Sequence, residues 1–263
     1  MSWTEERIAA LYSTLASSHG PQHWWPANSR FEVIVGAYLT QNTSWRNVEL
    51  ALASMRAAQV LTVDSVREIS LRRLEILIRS SGYFREKARR LKAFVEFLDR
   101  CYGGSLTRMF RQPTARLRRE LLSLDGVGPE TADAILLYAG QHPVFVVDSY
   151  TRRLAARHGI LPADAGYEEV RTRFERALRR VRPVGPAGAD ALATSPGFAA
   201  HRPSRMSRAR RSPLAQVFNE MHGLVVAVGK QYCLKSRARC ERCPLAPLLP
   251  DGERKDALRA PKV

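Results

Sequence analysis

The chain is short of acid, short of cysteine and free of long apolar runs. Acidic residues number 25 against 42 lysines and arginines, a formal net charge of +17 over 263 residues. Such a balance selects polyanionic partners, nucleic acid first and an anionic membrane surface second. No run of about eighteen apolar residues exists, which excludes a membrane-spanning helix and makes a membrane an unexpected partner. The opening residues, MSWTEERIAA, lack the basic-then-apolar order of an export signal, so the expected location is the cytoplasm, at the nucleoid in a bacterium. Four cysteines, three of them clustered, do not make the disulfide framework of a secreted domain.

What is present is helical periodicity. Ile8, Leu11, Tyr12 and Leu15 share one face of a helix expected over residues 4–17. Arg30 to Met55 reads as a helical zone broken by the polar turn Thr40 to Ser44. Residues 70–81 place Leu71, Leu74, Leu77 and Ile78 at helical spacing behind a capping Ser70. The next helix runs from Phe84 to the Gly103-Gly104 stop. Further helices are expected over 114–123, 150–158, 167–181 and 214–230. Residues 182–213 change character: Pro, Gly, Ala and Arg without periodicity predict a flexible insertion, with Arg202, Arg205, Arg208, Arg210 and Arg211 as a basic cluster able to hold phosphate or simply to face solvent.

The stretch from Leu121 to Arg153 carries the most information. Leu124-Asp125-Gly126-Val127-Gly128-Pro129-Glu130-Thr131 is a helix–hairpin–helix signature. The glycines allow a tight turn and a close approach, and Pro129 sits where a first helical residue needs no N–H. The amides of Gly126, Val127 and Gly128 then face outward at a helix start, a place for a backbone phosphate. An apolar run, Pro143 to Val147, follows and ends on Asp148 before another helix.

Hairpin, apolar run, Asp148, Arg152 and Arg153 in this order resemble the endonuclease III superfamily of DNA glycosylases, and the resemblance makes Asp148 the catalytic carboxylate as well as a helix cap. Trp24-Trp25-Pro26 resembles the loop that lines the base pocket in the 3-methyladenine DNA glycosylase branch. Read without the resemblance, the same pair is a hydrophobic plug. Gln41 matches the glutamine that fills the gap left by a flipped nucleotide, or caps a loop. Thr131, Lys87, Arg89 and Arg90 complete the expected DNA contacts. Endonuclease III carries a lysine where this chain has Glu130, and the register agrees, 148 − 130 = 18 residues. A carboxylate cannot form the Schiff base that lets the strand be cut, so the resemblance implies a monofunctional enzyme. Glu130-Thr131-Ala132-Asp133 again resembles the 3-methyladenine branch.

Cys233, Cys240 and Cys243 are spaced like three of the four ligands of the superfamily's iron–sulfur cluster, but the fourth place is Leu249. The residues leave open a cluster with an unusual fourth ligand such as Asp251, a zinc site with a histidine, or a loop without metal.

The resemblance implies an all-α, two-domain fold with a DNA-binding cleft between the domains. Residues 28–141 are expected as a six-helix barrel holding the hairpin, 1–27 with 142–249 as a second helical domain carrying the cysteine loop, and 250–263 as a tail. The function implied is removal of a damaged, alkylated purine from double-stranded DNA by a monomer. An endonuclease III-like glycosylase and lyase for oxidised pyrimidines, or a catalytically silent DNA-binding module, are the alternatives.

Overall fold

The computed structural model describes residues 2–183 and 202–250. Among them the fold is all-α, with no sheet strand and one isolated bridge between Cys233 and Ala238. The chain divides into two compact units, one within Ala27–His142 plus Ser204–Met206, the other within Met1–Pro26, Pro143–Pro203 and Ser207–Val263.

In the first unit the helices begin where small hydroxyls can cap them. Ser29 starts α2 (Arg30–Leu39), Ser44 starts α3 (Trp45–Ala57), Thr62 starts α4 (Val63–Glu68) and Ser70 starts α5 (Leu71–Leu77), each accepting from the backbone N–H three residues on. Helix α2 is apolar on nearly every side, so it can only be a central helix, and Phe31 to Leu39 are all buried. Its one acid, Glu32, is buried too and pairs with Arg56 while accepting from the Asn28 amide at 2.8 Å. Around it pack α3, α6 (Phe84–Tyr102) and the hairpin helix. Gly103, in the left-handed region at φ +58°, ends α6.

Two expectations shift here. The single helix foreseen over 70–81 is α5 followed by a separate 3₁₀ turn, Arg79–Ser81. Leu71 does not join the core and is 37% exposed, because it occupies the first helical position, ahead of the turn that presses on α6. A short helix not foreseen, α7 (Leu106–Met109), precedes α8 (Thr114–Leu122).

In the second unit α1 (Trp3–His19) packs on α11 (Tyr167–Leu178), and α10 (Ser149–Arg157) on α12 (Pro213–Gln231). The apolar run before α10 is extended and buried. Phe145 stacks on Phe174 at 5.0 Å between ring centroids and meets Phe218 edge-on at 5.9 Å. Of the expected insertion, residues 184–201 lie outside the described residues. The following residues are clipped in place: Ala27 donates to Ser204 Oγ at 3.2 Å, Met206 N donates to Ala27 O at 3.0 Å, and Met206 is buried. From the basic cluster, Arg211 turns back to Ser207 O and Gln216 Oε1. Residues 251–263, and with them Asp251, also lie outside the described residues.

Candidate active site

The hairpin is built from the backbone upward. Gly126 turns at φ +70°, and a Cβ there would collide with the Arg90 guanidinium. Val127 N donates to Leu124 O at 3.1 Å and closes the turn, and Gly128 caps the hairpin helix α9 (Pro129–Ala134). Val127, expected to offer its amide to phosphate, therefore spends it inside the turn. The amides of Gly126 and Gly128 have no such internal bond among the described residues. Below the turn, Asp133 is fully buried and takes two hydrogen bonds from Arg118 of α8, at 2.6 and 3.0 Å. This charge-assisted fork fixes the hairpin helix to the helix before it. The helix then loosens into a π turn, Ile135–Ala139, closed by Gly140 N to Ile135 O at 3.1 Å.

Gln41 joins this hairpin. Its Nε2 donates to Gly126 O and to Thr131 Oγ1, both at 2.9 Å, and its Oε1 accepts from Arg90 at 3.3 Å. Thr131, expected at DNA, is buried and its hydroxyl faces Gln41. Arg89 is exposed, as a phosphate contact requires. Lys87 is not: it is 1% exposed and donates to Leu39 O at 2.9 Å and Ser81 O at 2.7 Å. Its expected role at the DNA backbone is corrected accordingly. Lys87 lies on the inner side of α6 and binds carbonyls at the ends of α2 and the 3₁₀ turn. Burial, with Arg90 nearby, pulls its pKa down to about 8. Glu130 is exposed at the second residue of α9.

Asp148 occupies the N-cap of α10. Its Oδ1 accepts from Thr151 N at 2.7 Å and Thr151 Oγ1 at 2.9 Å. Its Oδ2 lies 3.5 Å from His222 Nε2 of α12. Asp148 is buried. Burial pushes its pKa up, but the His222 imidazole and the Thr151 donors outweigh burial, and the net direction is downward. Asp148 is thus an ionised carboxylate in a dry corner. The two arginines after it do not join it. Arg152 donates to Ala165 O at 2.5 Å, and Arg153 donates to Cys233 O at 2.6 Å while covering the Tyr150 ring. They fix α10 in place.

Trp24 and Trp25 are both buried, with centroids 5.4 Å apart, and Pro26 is half-buried. Trp24 lies beside the His222 ring at 6.4 Å, against the Cα side of Gly223, and under Lys230 Nζ at 5.8 Å. The loop therefore reaches α12 at the residue that faces Asp148. His222 was not foreseen as part of this site. The signal was available: in the apolar helix 213–231, Asn219 and His222 are polar, three apart, and both buried.

Cys233, Cys240 and Cys243 line one cavity of about 20 Å³ with Arg157, His158 and Leu249. Arg157 Nη1 lies 3.2 Å from Cys233 Sγ, and burial pushes the Cys243 thiol up to about 11. A four-thiolate cluster does not fit these residues. Leu249 has no donor atom, Cys101 is exposed, and among the described residues no group of three or more His, Cys, Asp or Glu is arranged to hold a metal ion. Protein contacts also hold the loop: Arg153 at Cys233 O, and Arg7 and His158 at Leu248 O.

These features define a helix–hairpin–helix protein with a buried, capped carboxylate on the helix that follows its hairpin. The chain belongs to the HhH-GPD superfamily of base excision DNA repair proteins, whose family model matches residues 35–180. It is a DNA glycosylase. It is 36% identical over 242 residues to a Methanocaldococcus jannaschii protein named "Putative DNA repair glycosylase", covering 91% of this chain and 94% of that one. Among solved structures it is similar to the 3-methyladenine DNA glycosylase of H. pylori bound to 1,N6-ethenoadenine, with TM-score 0.66, 28% identity, and coverage of 87% and 97%. A trapped endonuclease III–DNA covalent intermediate shares the fold, with TM-score 0.70, 21% identity, and coverage of 98% and 100%.

Proposed function

We propose that the protein is a monofunctional glycosylase that hydrolyses the N-glycosidic bond of an alkylated purine in double-stranded DNA. The observation that carries the reading is Glu130: an exposed carboxylate stands on the hairpin helix where endonuclease III has its lysine. Without an amine there, no imine to the sugar forms at this position. The likeness to a 3-methyladenine glycosylase that binds a modified adenine supports the purine class.

The chemistry follows from the residues. The amides of Gly126 and Gly128 hold a backbone phosphate, and the exposed Arg89 is a second anchor. The damaged nucleotide leaves the stack and its base meets the Trp24–Trp25–Pro26 loop. Gln41 exchanges its bonds to Gly126 O and Thr131 for the space the nucleotide vacates. As the glycosidic bond breaks, positive charge grows on the sugar. Asp148, held ionised, stabilises that charge and orients water at the anomeric carbon. An alkylated purine leaves readily because it is already cationic, so the site needs no strong general acid.

The test is release of free bases from methylated duplex DNA by the wild type and by Asp148→Asn. Release of 3-methyladenine that drops by on the order of a thousandfold in the variant is expected. Equal release by both proteins would remove Asp148 from the reaction.

A further inference from the structure

His222 has no place in the steps above, yet it is the side chain that faces the free side of Asp148. Oδ1 of the carboxylate is fully engaged by the two Thr151 donors, both neutral. Oδ2 is turned to His222 Nε2 at 3.5 Å, and both side chains are nearly sealed from water, at 5% and 12% exposure. A carboxylate in such a corner needs a positive partner or it takes up a proton. The imidazole is well fixed: Trp24 and Phe145 flank it, each with a ring centroid at 6.4 Å. It therefore stands between the tryptophan loop and the carboxylate.

We propose that His222 is a positioning residue for base release: wedged between Trp24 and Asp148, its imidazole keeps the buried carboxylate charged and fixes the direction of Oδ2. The inference rests on the functional reading of Asp148. The other ionisable groups around the ring are accounted for. Tyr150 follows Asp148, and burial together with that carboxylate pushes its phenol up, away from neutral pH. Behind Phe145, Glu175 accepts from the Phe145 amide and from Arg171. Lys230 Nζ lies 5.8 Å from the Trp24 ring centroid. On the helix of His222 itself, Glu220 is turned to Tyr12 and Gln216. None of these replaces the imidazole at Oδ2.

The sign of the effect is set by burial. With His222 present, Asp148 stays charged down to acid pH. With His222→Gln, a neutral donor of similar reach, burial prevails and the carboxylate takes up its proton at higher pH. The single-turnover rate of base release should then show an acid limb displaced upward. At about pH 6 the variant should be roughly tenfold slower than wild type, since each pH unit below a carboxylate's midpoint removes about tenfold of its charged form. Toward alkaline pH the two rates should converge to within about threefold. A structural role alone would lower the rate equally at every pH, and parallel profiles would overturn the proposal.

A second measurement needs no substitution at His222. In protein labelled with ¹⁵N-histidine, the His222 ring signals at one fixed pH should move when Asp148→Asn removes the carboxylate charge, and unchanged signals would overturn the proposal. The NMR shift does not depend on catalysis. Full base release by Asp148→Asn would defeat the functional reading, whereas its loss beside parallel pH profiles for wild type and His222→Gln would defeat this inference alone.

Discussion

The hairpin and the Asp148 corner meet the same requirement, a fixed polar group, by opposite means. The hairpin keeps its working groups outside and hides what braces them: the Arg118–Asp133 fork lies beneath, Gln41 ties the turn, and Glu130 and Arg89 face water. At Asp148 the group proposed to act is itself hidden, held between Thr151 and His222. The contrast follows from the tasks. A phosphate is bound by presenting donors to solvent at no desolvation cost, while a charge that must act on a growing cation is stronger where water is excluded.

This comparison can be broken from the hairpin side first. Arg118→Ala removes the two charge-assisted hydrogen bonds of the fork from buried Asp133, and should cost about 3–5 kcal/mol in urea unfolding. A loss below about 1 kcal/mol would mean that the fork does not brace the hairpin. Next is Lys87→Met, which strips the donor from Leu39 O and Ser81 O and should cost about 2–3 kcal/mol. The wild type adds a pH signature. The folded Lys87 releases its proton near pH 8 and the unfolded one near 10.5, so between these values the unfolded chain binds more protons and stability rises with pH. Melting curves of Lys87→Met across this range should lack that rise.

The corner around Asp148 is probed more finely by Thr151→Val, which keeps the amide bond and removes the hydroxyl bond at 2.9 Å. Base release should fall by roughly tenfold, the equivalent of one hydrogen bond to a charged group, with little change in DNA binding. Gln41→Ala should have the smallest effect on stability, about 1 kcal/mol for its part-buried hydrogen bonds. It should weaken binding to damaged duplex measured by anisotropy, and unchanged binding would leave Gln41 as a brace of the turn alone.

Much of the fold was legible in the chain because the relevant signals are local. Ser70 announces a helix start, and Gly103 with Gly104 announces an end. Gly126, Gly128 and Pro129 specify the hairpin turn without reference to anything distant. Asp148 was legible twice, as a cap and by its register after the hairpin. What escaped depended on partners far along the chain. His222 comes from a helix 222 − 148 = 74 residues later. Lys87 sits in a run that looks solvated, and only the placement of Leu39 and Ser81 turns it inward. Met206 hid in an arginine-rich stretch, where composition gave no hint of a backbone clip to Ala27. The cysteine loop was legible as a trace with one ligand missing, and Leu249 in the cavity with the three thiols carries that gap into the structure.

The central claim is that this glycosylase removes a base and leaves the strand whole. The direct measurement uses duplex DNA with one alkylated purine, analysed with and without alkali and after borohydride reduction. Free base, strand breaks only in the alkali-treated sample, and no reduced protein–DNA adduct are the result predicted from Glu130. Strand breaks without alkali, together with an adduct trapped by borohydride, would contradict it and mean that another amine attacks the sugar.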